Sequence, residues 1–234
     1  MPDVAWRLDA QFAALHCGPL SASADLGMPS QGLTRVHWHA QPLVGCQLLG
    51  VEVDSLAAQT AGTLADRYQR SGDLVATYEQ TAARPFRVQV YWRAVLPHAE
   101  HALPTIDLQV SVQTSLLDCR AAITTASLLA DCESCDVLGS KCDNQGPFAR
   151  LFRPAGLEVS YAEMIHPSDF RGVESATLAD RCQWCRTKLF GRALEKGIIL
   201  RARVRGVFVP RPNDVARATA AFDDFSRQPP PLTT

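Results

Sequence analysis

Two neighbouring segments alternate apolar and polar residues almost without interruption, and this alternation constrains the fold more than any other feature of the 234-residue chain. The segments are FRVQVYWRAVL (86–96) and IDLQVSVQTSLL (106–117). A period of two is typical of a β-strand with one face on a core and the other in solvent. We therefore predict two adjacent antiparallel strands with one solvated face. Their predicted buried side chains include Val88, Val90, Val110 and Val112.

The remainder of the chain predicts a mainly β fold, an antiparallel β-sandwich with a few short helices. A single domain is expected over residues 1–228, followed by a disordered tail at 229–234. Gly, Ser and Pro collect in residues 1–30, which predicts an irregular N-terminal segment. Residues 55–73 read as a loop or a short helical turn ending at a Ser-Gly-Asp turn signal. Helices are predicted for residues 177–197 and for a C-terminal segment that begins after Asn213 as N-cap and places Val215, Ala218, Phe222 and Phe225 at core spacing.

Charge and hydropathy limit the partners. Lys and Arg number 23 and Asp and Glu 24, so a formal net charge of −1 gives no general attraction to nucleic acid or to an anionic membrane. No apolar run approaches the ~20 residues needed to cross a bilayer. The first residues, MPDVAWRLDAQF, lack the basic and apolar regions of a secretory signal. We expect a cytoplasmic protein whose cysteines are thiols or metal ligands rather than disulfides.

Two C-x-x-C motifs, CESC and CQWC, predict a structural zinc site. Two pairs of thiolates could occupy the four corners of a tetrahedral site if the segments around them meet. Free thiols that fill small spaces, or a redox-active pair, are the alternatives. The predicted ligands are Cys132, Cys135, Cys182 and Cys185, with Cys142 as an alternative ligand.

Polar side chains on the solvated face of the predicted sheet are candidates for ligand binding. Five of them come from the two alternating segments, namely Arg87, Gln89, Tyr91, Arg93 and Gln113. His37 and His39 are expected on the outward face of a strand in TRVHWHAQP, where they could chelate a metal, line a pocket or simply face water.

A histidine after another predicted strand suggests either acid–base chemistry or a turn. His166 follows LEVSYAEMI, which carries Glu163, and a histidine near a carboxylate can act in general acid–base catalysis. Pro167, Ser168 and Asp169 are turn formers, however, so a hydrogen-bonded turn is the competing interpretation.

Arginines at period two form a basic ridge on a third strand. These are Arg201, Arg203 and Arg205, and such a ridge binds an anion, pairs with carboxylates on neighbouring strands or faces water.

Three segments resemble a family of conserved bacterial β-rich proteins of unknown function. They are DRYQRSGDLVATYEQTAARPFRVQVYWR, EMIHPSDF and LEKGIILRARVRGVFVPR. The strand pattern is also similar to the galactose mutarotase-like supersandwich, a large antiparallel β fold used for carbohydrate binding, epimerisation and lyase chemistry. The resemblance implies that a histidine acts as acid and a glutamate as base in related epimerases.

Three functions are compatible with these observations. The leading prediction is a protein that binds a polar ligand, such as a carbohydrate, on the solvated sheet face. The second is a sugar epimerase or mutarotase-like enzyme that uses His166 or the His37 and His39 pair with Glu163. The third is a structural or interaction protein stabilised by zinc. An enzyme needs a histidine and a carboxylate in one concave pocket, whereas a binding protein needs only an accessible polar or aromatic face.

Overall fold

The computed structural model describes residues 4–53, 64–70, 72–95, 103–137, 149–178 and 181–229. These residues form strands, two short 3₁₀ turns and one α-helix. The strands are β1 (Val4–Asp9), β2 (Phe12–Cys17), β3 (Leu20–Asp25), β4 (Leu33–Trp38), β5 (Gln41–Pro42), β6 (Gln47–Glu52), β7 (Leu64–Arg70), β8 (Asp73–Tyr78), β9 (Arg87–Val95), β10 (Thr105–Gln113), β11 (Asp118–Leu129), β12 (Cys132–Val137), β13 (Ala149–Pro154), β14 (Val159–Ile165), β15 (Val173–Thr177), β16 (Gln183–Glu195) and β17 (Ile199–Pro210). The helical elements are the 3₁₀ turns Pro29–Gln31 and Pro167–Asp169 and the helix α1 (Asp214–Ser226).

Two antiparallel sheets face each other across one core, so the predicted β-sandwich is confirmed. The first sheet has the order β1-β2-β3-β4-β6-β11-β16-β15, with β5 paired to β4. The second has the order β12-β13-β14-β17-β10-β9-β8-β7. Within the described residues no helix is both long and apolar enough to span a membrane.

The alternation in β9 and β10 divides the second sheet into an inner and an outer face, as predicted. The two strands pair antiparallel, with Val90 opposite Val110. Both of these valines are fully buried, whereas Gln89 and Gln113 are partly exposed on the outer face. Strand β17 pairs with the other edge of β10, which extends this outer face by one further strand.

Helix α1 lies on the outer side of the second sheet and confirms the predicted C-terminal helix. Phe222 and Phe225 of this helix are buried. Asn213 occupies the predicted N-cap position, with a left-handed backbone and no side-chain cap hydrogen bond. The carboxylate of Asp214, the first residue of the helix, accepts a hydrogen bond from the amide of Val215 at 2.8 Å. Val215 itself is 43% exposed rather than in the core.

The predicted irregular segment over residues 1–30 is wrong, since it contains β1, β2 and β3. In β3 the sequence LSASAD alternates between buried and partly exposed positions. Alanine and serine have weak strand preference, so this alternation did not indicate a strand in the sequence. Left-handed residues at Ala10 and Gly18 allow the tight turns that join these strands.

The predicted helix over residues 177–197 is also wrong, because residues 183–195 form β16. Cys185, Thr187 and Leu189 are buried, whereas Lys188 between them is exposed. Pairing with β11 and β15 on its two sides overrides the helix propensity of Leu, Lys and Arg in this stretch. The loop predicted for residues 55–73 is wrong in part, because strand β7 occupies residues 64–70. Residues 55–63 and 71 of that predicted loop lie outside the described residues. Residues 230–234 of the predicted tail also lie outside them.

Candidate functional site

An open cleft of about 580 Å³ lies between the outer face of the second sheet and the C-terminal end of α1. This volume is within the range of small-molecule sites. Three adjacent strands, β9, β10 and β17, form its floor. Its lining comprises Tyr91, Arg93, Asp107, Leu108, Gln109, Arg201, Arg203, Phe225, Gln228 and Pro229.

The strand register places the polar side chains of this floor in cross-strand rows. In one row Tyr91 lies opposite Gln109, which lies opposite Arg203. The next row contains oppositely charged neighbours, in the order Asp73, Arg93, Asp107 and Arg205. Side chains directly opposite each other are ~5 Å apart, so successive donors and acceptors are spaced closely enough to contact one small ligand.

Ion pairs hold three arginines of the site in place. Arg93 binds both carboxylate oxygens of Asp73 at 2.6 and 2.9 Å. Arg205 binds Asp107 in the same two-point manner at 2.6 and 2.8 Å. The orientation of a guanidinium plane is fixed by such pairing, so its remaining N–H groups are pre-organised as donors. The carboxylate pairing considered for the basic ridge is thus confirmed for Arg205.

Arg203 is the third arginine of the site that an ion pair holds in place. Its Nε donates to Asp169 at 3.0 Å and its Nη2 to Ser168 Oγ at 3.1 Å. Both Arg203 and Asp169 have side chains only about a tenth exposed. The pair links β17 to the 3₁₀ turn that follows β14.

Tyr91 supplies a phenol to the cleft. Burial is the main cause that raises its pKa above the ordinary value, so the hydroxyl is protonated at neutral pH. It donates a hydrogen bond to Gln89, whose amide in turn donates to Thr77 at 3.2 Å. The tyrosine is thereby oriented by a neighbour on its own strand.

The C-terminal wall of the cleft is attached to the floor by the arginines. Arg203 donates to the carbonyl of Pro229 at 3.0 Å, and Arg205 donates to Gln228 at 3.2 Å. The guanidinium of Arg205 also lies 4.5 Å from the ring centre of Phe225, a cation–π distance. The residues after α1 therefore form a defined wall.

Sequence reasoning identified part of this site. Tyr91 and Arg93 line the cleft, whereas Gln89, Arg87 and Gln113 lie on the same outer face outside its lining. Arg87 pairs with Glu79 at 3.3 Å. The cleft residues that were not predicted include Asp107, Gln109 and the wall residues Phe225, Gln228 and Pro229, whereas Arg201 and Arg203 belong to the basic ridge noted in the sequence. The sequence shows the alternation of polar residues in β10 and in β17, but it does not show that these two strands pair.

The two candidate histidines of the N-terminal half lie on the first sheet, away from this cleft. Strand β4 ends at Trp38, and His39 has a left-handed backbone in the turn that follows. The expectation that His37 and His39 share one strand face is therefore wrong. His37 Nδ1 lies 2.8 Å from the carbonyl oxygen of Arg35.

Glu163 lies between the two sheets rather than on an open surface. Its Oε2 accepts hydrogen bonds from Tyr161 Oη at 2.9 Å and from Ser127 Oγ of the opposite sheet. Its Oε1 is buried without a hydrogen-bond partner among the residues that the structure describes. Burial raises the pKa of this carboxyl, and the two hydroxyl donors only partly oppose that effect.

His166 lies on the helix side of β14 and forms the predicted turn. Its Nδ1 accepts from the amide of Ser168 at 3.3 Å and lies 2.8 Å from that residue's hydroxyl. Its ring packs edge-on against Phe225, with ring centres 5.3 Å apart. Burial first, and Arg203 second, lower its pKa. The turn interpretation is confirmed, and His166 faces a different environment from that of Glu163.

The segments that carry the two C-x-x-C motifs do meet in the structure. Ser134 donates to Gln183 at 2.8 Å, and Arg181 pairs with Glu133 at 3.2 Å. Cys132 and Cys135 are three residues apart on one strand, however, so their side chains leave opposite faces of β12.

The zinc site remains a prediction. Cys132 is buried, and burial raises the pKa of its thiol to about 12. Across the described ranges no three or more His, Cys, Asp and Glu side chains are grouped closely enough to hold a metal. Cys142, the alternative ligand, lies outside the described residues.

Comparison with solved structures shows the fold. The chain is similar to a proposed aldose 1-epimerase from Escherichia coli K12, with a TM-score of 0.54, 8% identity, and coverage of 89% of this chain and 99% of that one. It is similar to a proposed aldose 1-epimerase from Klebsiella pneumoniae, with a TM-score of 0.52, 6% identity, and coverage of 92% and 83%. It is also similar to the Slr1438 protein from Synechocystis sp. PCC 6803, with a TM-score of 0.51, 10% identity, and coverage of 90% and 96%. No protein-family model and no curated protein sequence matches the chain. At these identities the likeness shows the fold alone, an antiparallel β-sandwich.

Proposed function

We propose that the protein binds a sugar or a closely related polyol in the cleft between β9, β10, β17 and the end of α1. The observation that carries the proposal is the register of the floor, which places a phenol, an amide and guanidinium groups in adjacent rows beneath about 580 Å³ of open volume. A sugar presents several hydroxyl groups at similar spacing. Pre-organised planar donors and acceptors are suited to it.

Binding without catalysis is favoured by what the described residues of the cleft lack. The carboxylate in its described lining, Asp107, is held at two points by Arg205. Glu163 and His166, the candidates for acid–base work, lie on different sides of β14. Anomer interconversion requires one group to deliver a proton and another to remove one, and this pair does not supply both to the cleft.

The test is a binding measurement with two matched variants of β10. Neutral aldohexoses and hexuronic acids would serve as probes in isothermal titration calorimetry. Gln109→Ala, within the cleft, should weaken the binding of an active probe roughly fivefold to tenfold, since one hydrogen bond is lost. Gln113→Ala, on the same strand and face but outside the lining, should leave the affinity unchanged. Equal effects of the two variants, or no binding of any probe, would contradict the proposal.

An aldose 1-epimerase is the second candidate, because two of the structural neighbours are described as proposed enzymes of that kind. Polarimetry of freshly dissolved glucose and galactose would detect it. We expect no acceleration of mutarotation above the buffer rate. Acceleration that Asp107→Asn abolishes would favour the enzyme over the binding protein.

A further inference from the structure

The outer face of the first sheet carries a second concave site that the proposed function does not use. It is a trough of about 420 Å³ across β1, β2, β3 and β4. The cleft described above is built on the other sheet, so the two sites share none of their described lining residues.

Strand register explains the shape of the trough. Arg7, Ala14, Ser23 and Thr34 form one cross-strand row. The two central strands contribute only the small side chains Ala14 and Ser23, which leave a low floor. The longer side chain of Arg7 rises at one side of that floor.

A bulge in β4 supplies the opposite wall. The pairing moves from Thr34 opposite Ser23 to His37 opposite Ser21, so β4 contains one extra residue there. Arg35 lies within this extra stretch and has a left-handed backbone, with φ of 47°. Bulges redirect side chains, and Arg35 lines the trough as a result.

The second row of the trough contains an exposed aromatic ring between two carboxylates. Asp9 lies opposite Phe12, which lies opposite Asp25. Phe12, the first residue of β2, is 55% exposed on this outer face. An exposed ring beside polar groups is suited to a ligand with one apolar face and one polar edge.

Three charged groups around the trough have open hydrogen-bonding capacity. Arg7, Asp9 and Arg35 are exposed and make no hydrogen bond or ion pair with another side chain in the described part of the protein. Asp25, in contrast, already accepts from Gln11 at 3.0 Å and from the amide of Gly27 at 2.9 Å. With two guanidinium groups and two carboxylates, the lining has no formal net charge.

We propose that this trough is a second binding site for a neutral saccharide unit. The sugar's C–H face would stack on Phe12, and its hydroxyl groups would bond to Arg7, Asp9 and Arg35. The balanced charge favours a neutral sugar over an acidic one, because a net anion would gain attraction from the arginines and repulsion from the aspartates in equal measure. The protein would then be bivalent for saccharides, with one site on each sheet.

The experiment is an NMR titration of the isotope-labelled protein with assigned backbone amides, using glucose, galactose and mannose as probes. At least one probe should shift the amides of Ala14, Ser23 and Thr34 in a saturable way. Phe12→Ala should weaken that binding about tenfold, as loss of an aromatic contact typically does. His16→Ala, on the same strand and the same outer face but outside the trough, should leave it unchanged.

The same titration distinguishes binding at the trough from binding at the cleft. Gln109→Ala should leave the shifts in β2 to β4 intact, because it alters only the cleft. Shifts confined to β9, β10 and β17 would overturn the trough while supporting the proposed function. Shifts confined to β2 to β4 would support the trough and overturn the proposed binding of a sugar in the cleft. Trough shifts that persist fully in Phe12→Ala would also overturn the proposal.

Discussion

Replacing the carboxyl of Glu163 with an amide should stabilise the protein at neutral pH but not at acidic pH. The side chain is 5% exposed and lies between the sheets. Its Oε2 accepts from Ser127 and Tyr161, whereas its Oε1 has no hydrogen-bond partner among the described residues. Burial is the main cause that raises its pKa, and the two hydroxyl donors only partly oppose that rise. Glu163→Gln keeps a carbonyl acceptor for the two hydroxyls and cannot ionise.

The magnitude follows from proton linkage. A carboxyl whose folded-state pKa is raised binds its proton more tightly in the folded protein. Folding therefore carries no penalty below the ordinary pKa of 4.5 and loses stability as pH rises from there to the folded-state pKa. Within that window the wild type loses about 1.4 kcal/mol per pH unit relative to Glu163→Gln. For a chain of this size the loss corresponds to roughly 3–6 °C in Tm per pH unit.

The assay is thermal unfolding followed by circular dichroism at a series of pH values. The Tm of Glu163→Gln minus that of the wild type should grow as pH rises above 4.5 and then level off. Glu195→Gln provides the control, because Glu195 is exposed at the end of β16. A difference between Glu163→Gln and wild type that is constant across the pH range would refute the assignment of a buried carboxyl whose pKa is raised in the folded protein.

Three further predictions concern the core, the helix and the cysteines. Val110→Asp buries a charge in a fully enclosed position and should cost several kcal/mol, whereas Gln109→Asp on the outer face should change Tm little; similar Tm values would contradict the assigned faces. Asp214→Asn should destabilise the fold by about 2 kcal/mol at neutral pH. Arg153 binds both carboxylate oxygens of Asp214, at 2.8 and 2.9 Å, and is the main cause that lowers the pKa of this carboxyl to about 2. The difference in stability should therefore shrink as pH falls from about 4 to 2, and a pH-independent cost would count against the ion pair. If zinc is bound, Cys132→Ser should lower the metal content measured by mass spectrometry and Cys17→Ser should not, whereas a metal-free wild type would reject the zinc prediction.

The sequence predicted strands and their faces where one face of a strand is buried and the other is exposed to solvent. Alternation in β9 and β10 predicted their pairing, their inner valines and the face on which the cleft lies. Strand β14 is buried along its whole length, so its sequence shows no alternation. For that reason the direction of Glu163, toward the opposite sheet, could not be predicted from pattern.

Long-range pairing accounts for most of the site that was missed. Arg205 and Asp107 are 98 residues apart, and Arg203 and Asp169 are 34 apart. A basic ridge at period two indicates that partners are needed but not which carboxylates provide them. Strand β3 was not predicted for a different reason, because its alternating residues are mainly Ala and Ser, which have weak strand preference.

The most direct test of the central claim is a crystal structure of the protein with the sugar that binds most tightly in the calorimetric screen. We expect the sugar between the outer face of β9, β10 and β17 and the end of α1. Its hydroxyl groups should lie within hydrogen-bond distance of Tyr91 and Gln109. A well-ordered sugar found elsewhere on the protein, with the cleft left to solvent, would contradict the account.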